Sequence, residues 1–302
     1  MLARLKKACT NCRPSSIRTY WVNIRGLAKL AGKESVPANG RWLDNNLLER
    51  VRAMPLSRAK RLAQAGVKAA QMYGIKKPAW SEAMTIATDR YARQRESGKR
   101  TKREHENWPQ GGYKALGTLA TSLHQDVKHL ESKTQWNHRD LYHYQKFLIV
   151  LFYSKFALRG DLADVRYKQP LGPNFIKPVG KGFKVQIGQH KTSRAHGAIE
   201  LDIDAKGPVA AALHHFLPQA RRLKKHGFLL STLRTGGPLK RPDMLKLIRT
   251  VTRERLGKNI GVQLIRVLKV SQHQAEIDKA KALQLELGHS GAMQRRYISR
   301  KD

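Results

Sequence analysis

The apolar residues of this chain change their spacing between residues 182 and 203, and this change limits the fold more than any other feature. The segments "GFKVQIGQ" and "GAIELDI" alternate apolar and polar residues, a period typical of short β-strands. The polar stretch "HKTSRAHG" between them predicts the turn of a β-hairpin. Segments on both sides of this region have helical spacing. The sequence therefore predicts a mainly α fold with a small β-sheet or hairpin.

Helical patterns begin early in the chain. In "SSIRTYWVNIRGLAKLAG" apolar residues recur every three or four positions, with Ser15 or Ser16 as the expected N-cap and Gly32 as a stop. Asp44 is expected to cap the helix in "DNNLLERVRAM", and two further helical segments follow. The most apolar segment of the chain, "LYHYQKFLIVLFYSKFAL", predicts a core helix in the second half. Further helices are predicted near residues 207–223, 241–257, 262–274 and 277–288.

The length of 302 residues favours two domains. The stretch "ESGKRTKREHENWPQGG" is polar and charged and ends in Pro-Gln-Gly-Gly, which predicts a linker near residues 96–112. We therefore expect a helical DNA-binding domain at residues 1–105 and a second domain at residues 106–302.

The charge of the chain restricts its partners. Lys and Arg total 59 and Asp and Glu total 22, so the formal net charge is +37. Such an excess is not typical of metabolic enzymes and implies a polyanion, most simply nucleic acid. The longest apolar run, Phe147 to Tyr153, is too short to cross a bilayer, and the N-terminus lacks the pattern of a secretory signal. We expect an intracellular protein located with DNA, in the nucleus or the cytoplasm of a host, without a membrane partner.

The two cysteines of the chain, Cys9 and Cys12, lie in "CTNC". One pair cannot form a disulfide framework, and two ligands do not complete a zinc site. The sequence favours ordinary thiols of a reduced, intracellular protein.

Several polar residues stand in structurally demanding surroundings. Arg159 follows an apolar segment in "FALRGDLADV", Lys191 lies at the predicted hairpin tip, and Arg266 is flanked by apolar residues in "VQLIRVLKV". An arginine in such surroundings is usually paired or held against a ligand. His289 and Tyr297 follow in "LGHS" and "RRYIS". The arginines around Tyr297 would stabilise a phenolate nucleophile, although for this segment taken alone an amphipathic helix with a solvated basic face is the favoured explanation.

Taken in order, these segments resemble the tyrosine recombinase family of the phage-integrase type. "LRGDL", with Asp161 near the usual acid, "QHKTSRAHG", "QLIR", "LGHS" and "RRYIS" resemble its arginine, hairpin-lysine, second-arginine, histidine and tyrosine motifs. The resemblance covers about residues 105–302 and is greater to recombinases of eukaryotic DNA viruses and mobile elements than to bacterial ones. Two departures are Gln263, which stands where the family usually has a histidine, and a His289-to-Tyr297 interval about one residue shorter than the commonest one.

The resemblance implies a site-specific recombinase or integrase that cleaves and rejoins double-stranded DNA through a 3′-phosphotyrosyl link to Tyr297. It further implies that Arg159 and Arg266 hold the phosphate, that Lys191 is the general acid, and that His289 assists, without metal or cofactor. Gln263 would contribute an amide hydrogen bond at most. A core-binding domain at residues 1–105, a catalytic domain at residues 106–302 and a homo-oligomer, a tetramer on DNA, are also implied.

Three alternatives remain at this stage. The first is a non-catalytic DNA-binding protein on a recombinase fold, which Gln263 and the short interval before Tyr297 favour. The second is a hairpin-telomere resolvase that uses the same chemistry. The third is a basic RNA-binding or packaging protein without an active site, which the charge alone would explain.

Overall fold

The computed structural model describes residues 1–286. The chain divides into two compact units, Met1–Arg100 and a unit that begins at Thr101. The described part is mainly helical and contains a three-stranded antiparallel sheet, which confirms the predicted fold class at this level. No helix in this part of the chain is long and apolar enough to cross a membrane.

The first unit is a group of helices built around α4. Its helices are α1 (Leu2–Ala8), α2 (Pro14–Leu30), α3 (Asn45–Arg52), α4 (Leu56–Tyr73) and α5 (Pro78–Glu96). α4 packs against the other four, and small residues on its buried face allow close approach. At Gly66 a Cβ atom would lie 2.0 Å from Cε3 of the buried Trp80 of α5, so no larger residue fits there. The contact of Gly66 with Trp80 therefore joins α4 to α5.

The ends of these helices test the predicted caps. Asp44 caps α3 as predicted, because its Oδ1 accepts a hydrogen bond from the Leu47 amide at 2.8 Å. The prediction for α2 is wrong, since this helix begins at Pro14 with Arg13 as its N-cap, ahead of both serines. Proline suits the first turn of a helix because the amide hydrogen that it lacks would have no partner there.

The second unit contains the remaining helices and the sheet. Its helices are α6 (Lys102–Glu106), α7 (Lys114–Val127), α8 (His138–Lys155), α9 (Ser193–His196), α10 (Pro208–Leu223), α11 (Arg241–Leu256), α12 (Val262–Gln272) and α13 (Gln274–Glu286). Its strands are β1 (Asn174–Val179), β2 (Gly182–Ile187) and β3 (Ile199–Ile203).

The predicted linker at residues 96–112 is partly helical, because it contains α6. Thr101 Oγ1 accepts a hydrogen bond from the Glu104 amide at 3.2 Å, and Glu104 Oε2 accepts one from the Thr101 amide at 2.9 Å. This reciprocal pair is a capping box, which stabilises the start of even a short helix.

The apolar segment predicted as a core helix forms α8, which confirms that prediction. α8 is buried around most of its circumference, including Leu148, Phe152 and Tyr153, and it packs against α7, α10 and α11. Residues 147–153 are all buried, and this explains the continuous apolar run, because that part of the helix has no solvated face to carry charge.

The sheet has the order β1-β2-β3, with both pairs antiparallel. β2 and β3 form the predicted hairpin, and alternate residues such as Val185 and Ile187 are buried against the core. On the opposite face, Lys184 Nζ lies 2.7 Å from Glu200 Oε2. The first strand, β1, was not predicted; it carries Pro178 and lies at an edge of the sheet, where a residue that cannot donate an amide hydrogen bond is tolerated.

A carboxylate joins α7 to α8 within this core. Glu131 Oε1 accepts a hydrogen bond from the Tyr144 hydroxyl at 2.8 Å and lies 2.8 Å from His124 Nε2. Burial alone would raise the pKa of Glu131, but the contacts with His124 and Tyr144 outweigh it and hold the pKa below the ordinary value of 4.5. The charged form of Glu131 is therefore favoured by folding.

Replacing this carboxylate tests its contribution to stability. We expect Glu131→Gln to lower the free energy of unfolding at pH 7 by about 1–2 kcal/mol, since hydrogen bonds to a charged acceptor are lost. Because the folded pKa is depressed, the stability gained from ionised Glu131 is present above pH 4.5 and is lost as the pH falls below it. Urea unfolding of both proteins across this range should show the difference shrinking with acid.

The matched control is Glu200→Gln, which removes the exposed carboxylate paired with Lys184. It should cost less than about 1 kcal/mol, as expected for a surface ion pair. An equal loss from both substitutions, or a loss from Glu131→Gln that does not change with pH, would contradict the assigned role.

Candidate active site

Arg159 lies in an extended stretch after α8, where a buried tyrosine holds its backbone. The Tyr153 hydroxyl donates a hydrogen bond to the carbonyl oxygen of Arg159 at 2.6 Å. Leu158 and Gly160 are buried, whereas the side chain of Arg159 is only partly buried. The main chain is therefore fixed at this position, and the guanidinium group remains accessible to a ligand.

The acidic residue of the same motif, Asp161, is held in an ion pair. Arg241 Nη2 lies 2.7 Å from Asp161 Oδ1 and 2.6 Å from Asp164 Oδ2. The side chain of Asp161 is 2 % exposed and that of Asp164 is 49 % exposed. Gly160 allows this arrangement, because a Cβ atom there would lie 2.9 Å from Arg241 Cγ. Arg241, the first residue of α11, thus fastens the 3₁₀ turn Gly160–Asp164 to that helix.

The connection between β2 and β3 brings Lys191 into the neighbourhood of Arg159. Lys191 is exposed in the turn that precedes α9. The next residue, Thr192, accepts a hydrogen bond on Oγ1 from Arg159 Nη1 at 3.4 Å, a long contact. The segment with Arg159 and the hairpin segment with Lys191 therefore meet, as a shared site requires.

A buried histidine secures the base of this connection. His190 Nε2 lies 2.9 Å from the carbonyl oxygen of Gly197, across the connection, and His190 Nδ1 lies 3.4 Å from Thr192 Oγ1. On the β1 side, the Gln189 amide donates to Asn174 Oδ1 at 2.8 Å. The base of the connection is thus fixed to the sheet while the Lys191 side chain extends into solvent.

Arg266 and Gln263 both lie on α12. Gln263 is exposed in the first turn of the helix, whereas Arg266 is partly buried between the buried residues Ile265 and Leu268. Within residues 1–286, Arg266 forms no ion pair, and neither residue hydrogen-bonds to Arg159 or Lys191. The described structure thus joins the Arg159 segment to the Lys191 segment by a hydrogen bond. It shows no hydrogen bond or ion pair between either of them and the two α12 residues.

The three predicted cations share one electrostatic property. Arg159, Lys191 and Arg266 have no carboxylate partner among the described residues, in contrast to Arg255, which pairs with Asp126. Because basic residues outnumber acidic ones 59 to 22, a missing partner alone does not distinguish a site. The distinguishing feature of Arg159 is the combination of a fixed backbone, a guanidinium group without a carboxylate partner among the described residues, and a contact with the segment that carries Lys191.

The other two predicted residues, His289 and Tyr297, lie outside the residues that the structure describes. Their predicted roles therefore stay predictions.

Two residues of this region were missed from the sequence. Arg241 lies 80 positions from Asp161, and no local pattern connects residues so far apart. His190 directly precedes Lys191 between two predicted strands, and that position was a usable local signal for a residue that anchors the connection.

Comparison with known proteins finds no family model that matches this chain and no curated protein with significant similarity.

Removing Arg241 tests the support beneath Arg159. We expect Arg241→Met to lower the free energy of unfolding by about 2–4 kcal/mol, because the buried charge of Asp161 loses its partner. Asp164→Asn should cost less than about 1 kcal/mol, since Asp164 is exposed and the pair of Arg241 with Asp161 remains. Urea unfolding followed by circular dichroism measures both.

The double variant Arg241→Met with Asp161→Asn separates charge from packing. It should recover part of the stability, because a neutral amide at position 161 no longer carries an unpaired buried charge. The assignment fails if Asp164→Asn costs as much as Arg241→Met.

Proposed function

We propose that this chain is a tyrosine-type site-specific DNA recombinase that cleaves and rejoins double-stranded DNA through a 3′-phosphotyrosyl intermediate. The observation that carries the proposal is the contact of Arg159 with Thr192 at 3.4 Å, next to Lys191. The resemblance requires this arginine and the hairpin lysine to act on one phosphate. Two segments that are separate in the sequence meet in the manner that such a shared site needs.

The charge of the chain supports a DNA substrate. A formal net charge of +37 favours association with a polyanion and predicts a strong dependence of binding on salt. In the proposed architecture, residues 1–105 are a core-binding domain and residues 106–302 the catalytic domain, and four copies assemble on DNA. The proposed setting is the DNA of a eukaryotic virus or mobile element.

The proposed arginines act on the phosphate. A phosphodiester carries one negative charge, which spreads over its nonbridging oxygens as a nucleophile attacks phosphorus. Arg159 and Arg266 present planar guanidinium groups whose paired N–H donors match those oxygens. Donors already in position stabilise the charged transition state without rearrangement, and the fixed main chain of Arg159 suits that requirement.

Tyr297 and Lys191 act on opposite sides of the bond exchange at phosphorus, Tyr297 as nucleophile and Lys191 as general acid. The phenolic oxygen of Tyr297 attacks phosphorus, and the bond from phosphorus to the 5′ oxygen of the next nucleotide breaks. Lys191 donates a proton to this leaving oxygen as general acid, and His289 assists at the phosphate or the tyrosine. The phosphotyrosyl link conserves the bond energy, so the 5′ hydroxyl of the same or another strand can reverse the step.

The described tyrosines of the second unit are poorly suited to act as the nucleophile, and this supports Tyr297 in that role. Burial raises the pKa of Tyr142, Tyr144 and Tyr153 above the ordinary value. Burial also raises the pKa of Tyr113 and Tyr167, each to about 12. A buried phenol that resists ionisation is a poor nucleophile. The proposed nucleophile is accordingly a tyrosine outside this group.

Gln263 defines the second candidate function, a DNA-binding protein that does not cleave. Its amide, exposed on α12, can donate a hydrogen bond to a phosphate but cannot accept a proton at neutral pH. In the catalytic proposal, His289 or water serves wherever a base is needed. A hairpin-telomere resolvase would use the same residues and would differ in the ends that it rejoins.

Cleavage assays on substituted proteins test the catalytic assignments. We expect Arg159→Ala and Arg266→Ala to bind DNA nearly as wild type and to lose about 10²–10³-fold in cleavage rate, by analogy with the loss of an oxyanion donor. The substrate is labelled duplex from the ends of the DNA element that encodes the chain. Arg255→Ala, which removes a cation paired with Asp126, is the matched control and should cleave normally.

The general acid has a chemical test of its own. Lys191→Ala should cleave slowly, and a 5′-phosphorothiolate at the scissile position should restore its rate, because a thiolate leaves without a proton. The same substrate should not rescue Arg159→Ala. Circular dichroism confirms that each variant folds, and full cleavage by a folded Arg159→Ala protein would rule out its proposed role.

Tyr297→Phe tests the covalent step. This variant should bind DNA and form no adduct, since it lacks only the attacking oxygen. The measurement is a denaturing gel with labelled, nicked DNA, followed by peptide mapping of any adduct formed by wild type. An adduct that persists in Tyr297→Phe, or that maps to another tyrosine, would show that the nucleophile is misassigned. Binding without any adduct in wild type would favour the non-catalytic alternative.

A further inference from the structure

The two cysteines of the chain lie within one turn in the first unit. Cys9 is the C-cap of α1, and the Cys12 amide donates a hydrogen bond to the Cys9 carbonyl oxygen at 3.0 Å. A four-residue turn closed in this way brings its end Cα atoms within about 7 Å of each other. Disulfides span Cα distances of about 4.4–6.8 Å, so the main chain here is already close to the geometry of a bridge.

We propose that Cys9 and Cys12 form a reversible disulfide, and that this turn is a modification site for hydroperoxides and other thiol oxidants. The pair is independent of the proposed DNA chemistry, since it lies in the first unit and uses none of the assigned residues. It departs from the expectation from sequence, where "CTNC" favoured ordinary thiols.

The two sulfurs differ in access, which gives them different roles. Cys9 is 4 % exposed and belongs to the core of the first unit, whereas Cys12 is partly exposed. Burial and a hydrogen bond with Cys12 raise the pKa of the Cys9 thiol, and the nearby Lys68 acts in the opposite direction. Cys12 is therefore the thiol that an oxidant meets first, and Cys9 is the thiol that resolves the product.

The reaction balances with a hydroperoxide as oxidant. The Cys12 thiolate attacks the peroxide oxygen, the O–O bond breaks, and a sulfenic acid forms while water or an alcohol leaves. The Cys9 sulfur then attacks the sulfenic sulfur, and the sulfenic oxygen leaves as water while the S–S bond forms. Two thiols are oxidised by two electrons, and one peroxide is reduced.

Oxidation would tie the end of α1 to the segment that enters α2. α1 contributes the fully buried Leu5 to the core and packs against α4. Residues 9–13, which include both cysteines, separate α1 from the start of α2. A bridge in this segment restrains the C-terminal end of α1 relative to the residues that lead into α2.

Thiol counting on the purified chain tests the modification directly, because the sequence contains two cysteines. After treatment with hydrogen peroxide, the native protein should lose both titratable thiols, remain monomeric on a nonreducing gel, and lose the mass of two hydrogens. Dithiothreitol should restore both thiols. Two surviving thiols, sulfinic acid at Cys12 with Cys9 intact, or a disulfide between two chains would each overturn the proposal.

A redox titration asks whether the fold itself favours the bridge. Equilibration with reduced and oxidised glutathione gives the constant for disulfide formation in the native protein and again in urea. The constant should be at least about tenfold larger in the native protein, since a preformed turn raises the effective concentration of one thiol at the other. Equal constants would show that the folded turn does not promote the bridge, and would overturn the inference.

Serine variants identify the order of the two thiols. Cys9→Ser should leave Cys12 to form a mixed disulfide with glutathione, whereas Cys12→Ser should leave Cys9 largely unmodified because it is buried. The wild-type titration does not depend on either variant folding. Faster glutathionylation of Cys9 than of Cys12 would overturn the assigned order of attack.

Discussion

The burial of α8 is the constraint on which the second unit depends. A helix that is apolar around most of its circumference is stable in water only when other elements cover it, and α7, α10 and α11 do so. Near the C-terminal end of α8, the Tyr153 hydroxyl holds the carbonyl oxygen of Arg159. This buried helix therefore also determines the main-chain position of the first candidate site residue. Core packing and the candidate site are thereby coupled through one hydrogen bond.

The carboxylates close to Arg159 in sequence pair with a different arginine. Asp161 and Asp164 both form ion pairs with Arg241, which joins the turn after Arg159 to α11. The charge of Asp161 is therefore balanced by Arg241 and not by Arg159. None of Arg159, Lys191 and Arg266 has a carboxylate partner among the described residues, and a cation without such a partner is available to attract a phosphate.

Local patterns predicted the parts of the structure that local physics determines. The Asp44 cap reflects a contact between near neighbours in sequence, whereas the alternation in β2 and β3 and the apolar run of α8 record in the sequence which side chains the fold buries. β1 was not predicted because Pro178 interrupts its strand pattern. α6 was not predicted because the capping box of Thr101 and Glu104 lies within a charged stretch that is typical of a linker.

Long-range pairings were beyond such reasoning. No sequence period links Arg241 to Asp161, although this pair supports the candidate site. The order of the motifs suggested that Arg159 and the hairpin lysine belong together, and their segments do meet. For Arg266 the apolar flanks indicated a paired or ligand-held arginine; it is partly buried, and no carboxylate among the described residues pairs with it. His289 and Tyr297 lie outside the described residues.

The connection that carries Lys191 has a mechanical consequence. Its base is fixed by Asn174 and His190, whereas the lysine itself projects from the turn on a long, flexible stem. For the proposed reaction such a side chain is a tethered acid, whose local concentration is set by the length of the tether and not by the surrounding buffer. In the proposed reaction, this reach lets one ammonium group follow the leaving oxygen.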